Sequence, residues 1–168
     1  MKNYLEEGIF EEKKDGFIYT ERSTPHVSMR RGLIVALDLE MYDFTPGTDS
    51  PVRPTEATVL DRLPARIALR QKAVIDLPNI LVLFDDPADR VMGLFEKGKE
   101  KCELLYDFDL MKKGGHIRGY HVDNDLLPRK MADHLTEIKK RNPLLFAIGD
   151  GNHSLASAKE VWNELKSM

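Results

Sequence analysis

Short apolar runs alternate with charged or glycine- and proline-containing turns along the chain. Residues 32–39, 77–84 and 144–148 are mostly apolar, which predicts buried strands, and we expect residues 32–39 to lie centrally in a sheet. Further strands are predicted at residues 8–10, 16–20, 91–95, 103–108 and 116–122. This order of elements favours an α+β fold over a regular βαβ alternation.

The polar segments between these runs predict turns and loops. Residues 8–10 and 16–20 flank a charged stretch, so we expect them to pair as a hairpin. Residues 22–31 contain Ser, Thr, Pro and His and are predicted to form a loop. Residues 43–54 hold three prolines and a glycine, which predicts a second loop, and loops of this length are often functional.

Helical spacing of apolar residues marks two segments in the second half of the chain. Residues 125–140 form one of them, and the other begins near Ser154. The apolar positions are Leu127, Met131, Leu135 and Ile138 in the first segment, and Leu155, Ala158, Val161, Trp162 and Leu165 in the second. We therefore expect a single α+β domain over residues 1–168, with a mixed or antiparallel sheet and about three helices packed on it.

A third helix is predicted to start near Asp61 or Leu63, because proline at position 64 is tolerated only in a first turn. Ile67 and Val74 would then face inward. Three arginines share one face of this helix at i, i+4 and i+8 spacing, and they are Arg62, Arg66 and Arg70. Such a face is either solvated or used to bind phosphate, which guanidinium groups hold in a fork.

Composition narrows the functional classes. The chain of 168 residues is 42% hydrophobic and 32% charged, with a net charge of −3, which argues against non-specific nucleic-acid binding. Its single cysteine, Cys102, excludes an intrachain disulfide. The first residues lack the apolar core of a signal peptide, and the apolar runs are too short to cross a bilayer. We therefore expect a soluble cytoplasmic protein without a membrane partner.

The strongest local motif is the run Gly149-Asp150-Gly151-Asn152-His153-Ser154, which follows a predicted strand and precedes a predicted helix. Asp150 or Asn152 is the expected N-cap. Backbone N–H groups and the positive end of a helix dipole meet at such a turn, which suits a phosphate. Asp150 and His153 are the acid–base candidates there. An ordinary glycine turn with a capping aspartate and a surface histidine has the same pattern.

This motif, together with residues 52–58 (VRPTEAT) and 83–87 (LFDDP), resembles the domain-of-unknown-function family numbered 1015. The resemblance extends from about Gly8 to Trp162. The usual signature of that family is Asp-Gly-His-His-Arg, and here Asn152 replaces the first histidine and Ser154 the arginine. Family members are longer, so the resemblance implies an excised region or an unusually short member.

The same loop is similar to that of free-serine kinases of the chromosome-partition and sulfiredoxin superfamily, which place nucleotide phosphates at a helix start. This resemblance implies ATP or ADP with Mg²⁺ as cofactors and a small hydroxyl-bearing substrate. Catalytic candidates are Asp150, His153 and Glu56, with Asp150 also as the metal ligand. Phosphate-binding candidates are Gly149, Gly151, Asn152, Ser154, Arg53 and Arg62. Because Ser154 carries no charge, Arg53 or Arg62 would have to neutralise the phosphate.

Two hypotheses follow from these residues. The first is a small-molecule kinase that transfers a phosphoryl group from a nucleotide to a hydroxyl-bearing metabolite, through positioning and electrostatics. The second is a non-catalytic module that senses a nucleotide or phosphate within a longer protein, and the departures at Asn152 and Ser154 favour it. We also predict that Arg53, Glu56 and Arg62 lie on the same side of the fold as Asp150 and His153, in one cleft.

Overall fold

The computed structural model describes residues 2–13, 15–124 and 126–168. This part of the chain is an α+β fold, as predicted, but its strands form two sheets rather than one. Its helices are α1 (Lys2–Glu6), α2 (Leu63–Arg70), α3 (Met92–Gly98), α4 (Leu126–Arg141) and α5 (Asn152–Lys166). Its strands are β1 (Phe17–Thr24), β2 (Val27–Ile34), β3 (Val52–Pro54), β4 (Leu81–Leu83), β5 (Glu103–Asp109), β6 (His116–Val122) and β7 (Phe146–Asp150).

The chain divides into two compact units. The first unit holds residues 2–11, Leu37–Asp85 and Ile138–Met168, and the second holds the described parts of Glu12–Ala36 and Asp86–Glu137. Helix α4 contributes residues to both. The expectation of a single domain over residues 1–168 stays a prediction.

The first unit contains the three-stranded sheet β3-β7-β4. Strand β7 lies in the middle, parallel to β3 and antiparallel to β4. Helices α2 and α5 contact each other in this unit. Its hydrophobic core is formed by Tyr42, Val52, Leu63, Ile148, Leu155 and Ala156. The strand predicted at residues 144–148 is therefore confirmed as the central strand β7, shifted by two residues.

The second unit contains the antiparallel sheet β2-β1-β6-β5. Helix α3 packs on this sheet, where the ring of Phe95 stacks on that of Tyr19 with centroids 6.2 Å apart. Both side chains are fully buried. Strands β5 and β6 confirm the predictions for residues 103–108 and 116–122.

Two predictions for the N-terminal third are wrong. The hairpin consists of β1 and β2, so residues 22–31 are mainly strand, and residues 8–10 are not. Residues 32–39 do not form a central strand, because β2 ends at Ile34 and lies at the edge of its sheet. The charged residues in this stretch hid the strand pattern. One of them, Arg31, is a strand residue whose ion pairs are with Asp89 and Glu96, outside the sheet.

The predicted strand at residues 91–95 is also wrong, because these residues lie in and just before α3. Asp86 accounts for the helix. Its carboxylate accepts hydrogen bonds from the backbone N–H groups of Arg90 at 2.9 Å and Val91 at 2.8 Å, and so satisfies donors at the start of the helix. The apolar run alone does not distinguish a strand from a buried helix.

The three predicted helices are confirmed as α2, α4 and α5. Pro64 lies in the first turn of α2, where its missing N–H costs no hydrogen bond. Ile67 packs against the core as expected, whereas Val74 lies beyond the helix end and is 47% exposed. Asp125, the predicted start of α4, lies outside the described residues.

Candidate functional site

Strand β7 delivers the glycine-rich motif to one edge of the three-stranded sheet. Ile148 is buried, whereas Gly149 and Asp150 are exposed at the carboxyl end of the strand. Strand β3 runs parallel to β7, with Pro54 opposite Ile148, so the carboxyl ends of both strands lie at this edge. The chain segments that leave these two strands are therefore neighbours.

Gly151 makes the turn from β7 into α5. Its φ of 80° lies in the left-handed region, where glycine is strongly favoured. A Cβ at this position would lie 2.7 Å from the carbonyl oxygen of Asn79, which is closer than a side chain tolerates. Gly151 is also the N-cap, and it offers no side-chain cap. The prediction of Asp150 or Asn152 as N-cap is thus wrong.

Side chains at the turn satisfy only some of its backbone donors. The carboxylate of Asp150 accepts the N–H of Gly151 at 2.7 Å, and Oδ1 of Asn152 accepts the N–H of His153 at 2.9 Å. Within the described chain, no acceptor contacts the N–H of Asn152 or of Ser154. The buried Nδ2 of Asn152 is likewise without a partner there. The first turn of α5 therefore retains donors for an anion.

His153 connects this turn to the segment that follows β3. Its Nε2 accepts the backbone N–H of Val59 at 3.0 Å, which assigns the proton of a neutral ring to Nδ1. Thr55 anchors the other end of the segment, because its N–H and Oγ1 both donate to the carbonyl of Ile148, at 3.1 and 2.9 Å. Any acid–base chemistry at Nε2 would require the bond to Val59 to open.

Glu56 lies between these two anchors and is exposed, so the structure brings its segment to the motif. Arg62 ends the 3-10 turn Leu60–Arg62 and is also exposed. Arg53 lies on β3, and its guanidinium donates to the carbonyl of Thr48 at 2.8 Å, in the preceding loop. Of these three residues, Arg53 has its side chain engaged elsewhere in the first unit.

Arg70 is the residue that contacts Ser154, and sequence reasoning placed it only on a shared helix face. Its guanidinium donates to the hydroxyl of Ser157 at 2.8 Å, to the carbonyl and hydroxyl of Ser154, and to the carboxylate of Asp76 at 2.7 Å. The side chain of Arg70 is only 13% exposed. Ser154 therefore directs its hydroxyl at α2, and its contribution to an anion site is its backbone N–H.

Tyr42 contacts the β7–α5 turn from the hydrophobic core of the first unit. Its hydroxyl donates to the carbonyl of Asn152 at 3.4 Å, and burial raises the pKa of Tyr42 to about 12. The neutral phenol thus stays a donor over the physiological pH range. Together with the buried Asn152, Tyr42 fixes the start of α5 on the core.

Among the described residues, no group of three or more His, Cys, Asp or Glu side chains is placed to hold a metal ion. None of the helices in that part of the chain has the length and apolar content needed to span a bilayer. Of the predicted catalytic residues, Asp150 and His153 lie at the β7–α5 turn, and the segment that contains Glu56 lies next to them.

Comparison with known proteins assigns the chain to a family. The sequence model of a family described as a protein of unknown function, DUF1015, matches residues 1–168. No curated protein and no solved structure matches the chain. The match covers the β7–α5 turn and both compact units. The chain therefore belongs to the DUF1015 family of proteins of unknown function.

Proposed function

We propose that the β7–α5 turn binds the phosphate of a small ligand, with a nucleotide as the ligand class. The observation that carries this proposal is the pair of backbone N–H groups, of Asn152 and Ser154, that find no acceptor in the described chain. They lie at the positive end of a 15-residue helix. Gly151 sets the turn that presents these donors at the end of β7, because its φ of 80° lies in the left-handed region.

The charged residues around the turn extend this proposal to a nucleotide. Arg62 would neutralise phosphate charge from the 3-10 turn before α2, and Arg53 would do so after releasing Thr48. Asp150 would hold Mg²⁺ together with the phosphates of ATP or ADP, since Mg²⁺ is commonly bound through one or two carboxylates plus substrate phosphates. Such a shared site needs no preformed cluster of protein ligands.

Phosphoryl transfer to a small hydroxyl-bearing metabolite is the enzymatic form of the proposal. Glu56 would act as general base, and Asp150 would orient the acceptor hydroxyl or the metal. His153 is restricted by its bond to Val59, since Nε2 already accepts an N–H. This restriction favours the alternative, a non-catalytic module that senses a nucleotide or phosphate.

The first experiment tests whether the chain binds phosphate or a nucleotide. The chain is titrated with inorganic phosphate, AMP, ADP and ATP, with and without Mg²⁺, and unfolding is followed by the fluorescence of Trp162, the only tryptophan. A ligand at 100 times its Kd should add about 2.7 kcal/mol of stability. Arg62→Gln should weaken binding, whereas Lys72→Gln, an exposed cation in the same unit, should not. Unchanged stability with all four ligands would contradict the proposal.

Product detection separates the kinase from the sensor. The chain is incubated with ATP, Mg²⁺ and serine, and ADP and phosphoserine are quantified. Equal amounts of both products, lost in Glu56→Gln, would support transfer. Nucleotide binding without either product would support sensing.

A further inference from the structure

The second unit carries a row of alternating charges across its sheet. In the register of the strands, Glu21 of β1 lies directly opposite Arg31 of β2 on one side and Arg118 of β6 on the other. Asp107 of β5 lies opposite Arg118. Directly opposite residues of antiparallel strands place their side chains on the same face, close enough to interact. The four charges therefore line one face of the sheet.

Glu21 and Arg118 do not pair with each other, although they lie opposite. The carboxylate of Glu21 instead accepts from the ammonium of Lys99, through Oε1. Arg118 turns the other way, and its Nε donates to Asp107 at 2.9 Å. Arg31 is held by Asp89 and Glu96, at 2.8 and 2.6 Å. The carboxylate of Glu21 and the guanidinium of Arg118 thus border a common space without forming an ion pair with each other.

That space is a surface pocket of about 280 Å³. It is lined by Glu21, Ser23, Ser28, Met29, His116 and Arg118. The volume suits a small metabolite rather than a macromolecular partner. Its residues come from β1, β2 and β6, which are neighbouring strands of one sheet.

Glu21 has an unused acceptor beside this pocket. The residue is only 4% exposed, and its Oε2 is buried with no donor in the described chain. A carboxylate oxygen that is buried without a donor is costly, so a missing donor is an informative observation. Glu21 itself lines the pocket, so this carboxylate is the acceptor that the pocket offers to a ligand.

The opposite side of the pocket supplies donors. Only Nε of Arg118 has an acceptor among the described residues, so its terminal nitrogens are available, as are the hydroxyls of Ser23 and Ser28. His116 is already occupied, because Nδ1 contacts Asp109 at 2.7 Å and Nε2 contacts Asp107 at 2.5 Å. The site therefore offers one acceptor carboxylate and one donor guanidinium.

We propose that this pocket binds a small amino acid as its zwitterion, with the carboxylate on Arg118 and the ammonium on Glu21. The two charges of the ligand match the two that the sheet holds apart. A phosphate dianion fits poorly, because Glu21 lines the pocket and the carboxylates of Asp107 and Asp109 contact two other lining residues, Arg118 and His116. A neutral sugar would leave the terminal nitrogens of Arg118 without a charged acceptor, because only Nε contacts Asp107.

Binding is tested on the full chain by ¹H–¹⁵N NMR titration with glycine, L-alanine and L-serine, each to about 20 mM, which detects a Kd near 1 mM. We expect saturable shifts at the amides of Ser23 and Arg118. Propionate and ethylamine each carry one of the two charges, and both should bind at least tenfold more weakly than L-alanine. Absence of saturable shifts with all three amino acids would overturn the proposal, as would equal binding of propionate.

A matched pair of arginine variants locates the site. Arg118→Gln should weaken amino-acid binding at least tenfold, whereas Arg30→Gln should not, because Arg30 projects from the other face of the same sheet. Both arginines are exposed, so each variant is expected to fold, and the amide spectrum confirms it. Binding that persists in folded Arg118→Gln would overturn the proposal. The phosphate titration of the β7–α5 turn is a separate readout.

Discussion

The β7–α5 turn and the charged face of the second unit assemble polar residues in different ways. The turn is six consecutive residues, 149–154, in which a strand, a left-handed glycine and a helix start are set by local sequence. The charged face draws Arg31, Glu21, Arg118 and Asp107 from four strands, and only the strand register brings them together. A local motif can be recognised in a sequence, whereas a cross-strand site becomes visible only with the fold.

The largest expected effect tests whether the turn depends on its glycine. Gly151→Ala should destabilise the chain by about 2 kcal/mol, because alanine disfavours the left-handed region and its Cβ would meet the carbonyl of Asn79. Gly47→Ala is the matched control, since Gly47 has a φ of 81° with nothing within 4 Å of a Cβ. The control should cost about 1 kcal/mol. Urea unfolding followed by Trp162 fluorescence measures both.

Equal losses in the two variants would show that the packing of the turn against Asn79 contributes nothing. The turn would then be set by backbone conformation alone, and its fixed geometry would no longer distinguish it from the loop at Gly47.

The next effect concerns the charge of Asp150. Asp150→Asn should change stability by less than about 1 kcal/mol, because asparagine also accepts the N–H of Gly151. Nucleotide affinity or turnover should fall at least tenfold, a loss of about 1.4 kcal/mol. The measurement is calorimetric titration of ADP with Mg²⁺, made on this chain and on a longer form of the protein if one exists. Unchanged affinity in a folded variant would show that Asp150 serves only to form the turn.

The bond from Val59 to His153 predicts a smaller effect. His153→Ala should lower stability by about 1 kcal/mol, the typical contribution of one hydrogen bond. His26→Ala is a suitable control, because His26 is exposed in the β1–β2 turn. Urea unfolding with Trp162 fluorescence reports the difference. If both variants lose the same stability, the bond does not hold the segment of Glu56 to the turn.

Sequence reasoning succeeded where local pattern decides the structure. The apolar run before Gly149 and the helical spacing after Asn152 predicted β7 and α5, and Pro64 marked the first turn of α2. It failed at residues 91–95, where Asp86 caps a helix from several residues upstream. It also failed at residues 22–31, where Arg31 is a strand residue that pairs with Asp89 and Glu96, far along the chain.

The same distinction between local pattern and long-range contact separates the site residues that were predicted from the contact that was missed. Asp150 and His153 were found because they lie within one motif, and the structure places them at the turn. The contact of Arg70 with Ser154 was missed, since 84 positions separate them. The spacing of Arg62, Arg66 and Arg70 was the available signal, but it indicates a shared face and not what that face contacts. In both units, the contacts that the sequence did not predict are therefore those between residues far apart in the chain.

The smallest expected effect is a pH dependence of stability, and it arises on the charged face of the second unit. The carboxylate of Asp109, together with that of Asp107, raises the pKa of His116 above its usual 6.5. The folded state thus binds this proton more tightly than the unfolded state, so the stabilisation is complete below about pH 6.5 and is lost as pH rises through the folded pKa. An NMR titration of the imidazole should show the raised pKa in the wild type and a value nearer 6.5 in Asp109→Asn. Asp123→Asn, an exposed acid in the same unit, should leave the pKa of His116 unchanged. A pKa of 6.5 in the wild type would mean that the cross-strand contacts of His116 do not persist in solution, and the charged face would then lack the fixed geometry that the amino-acid pocket requires.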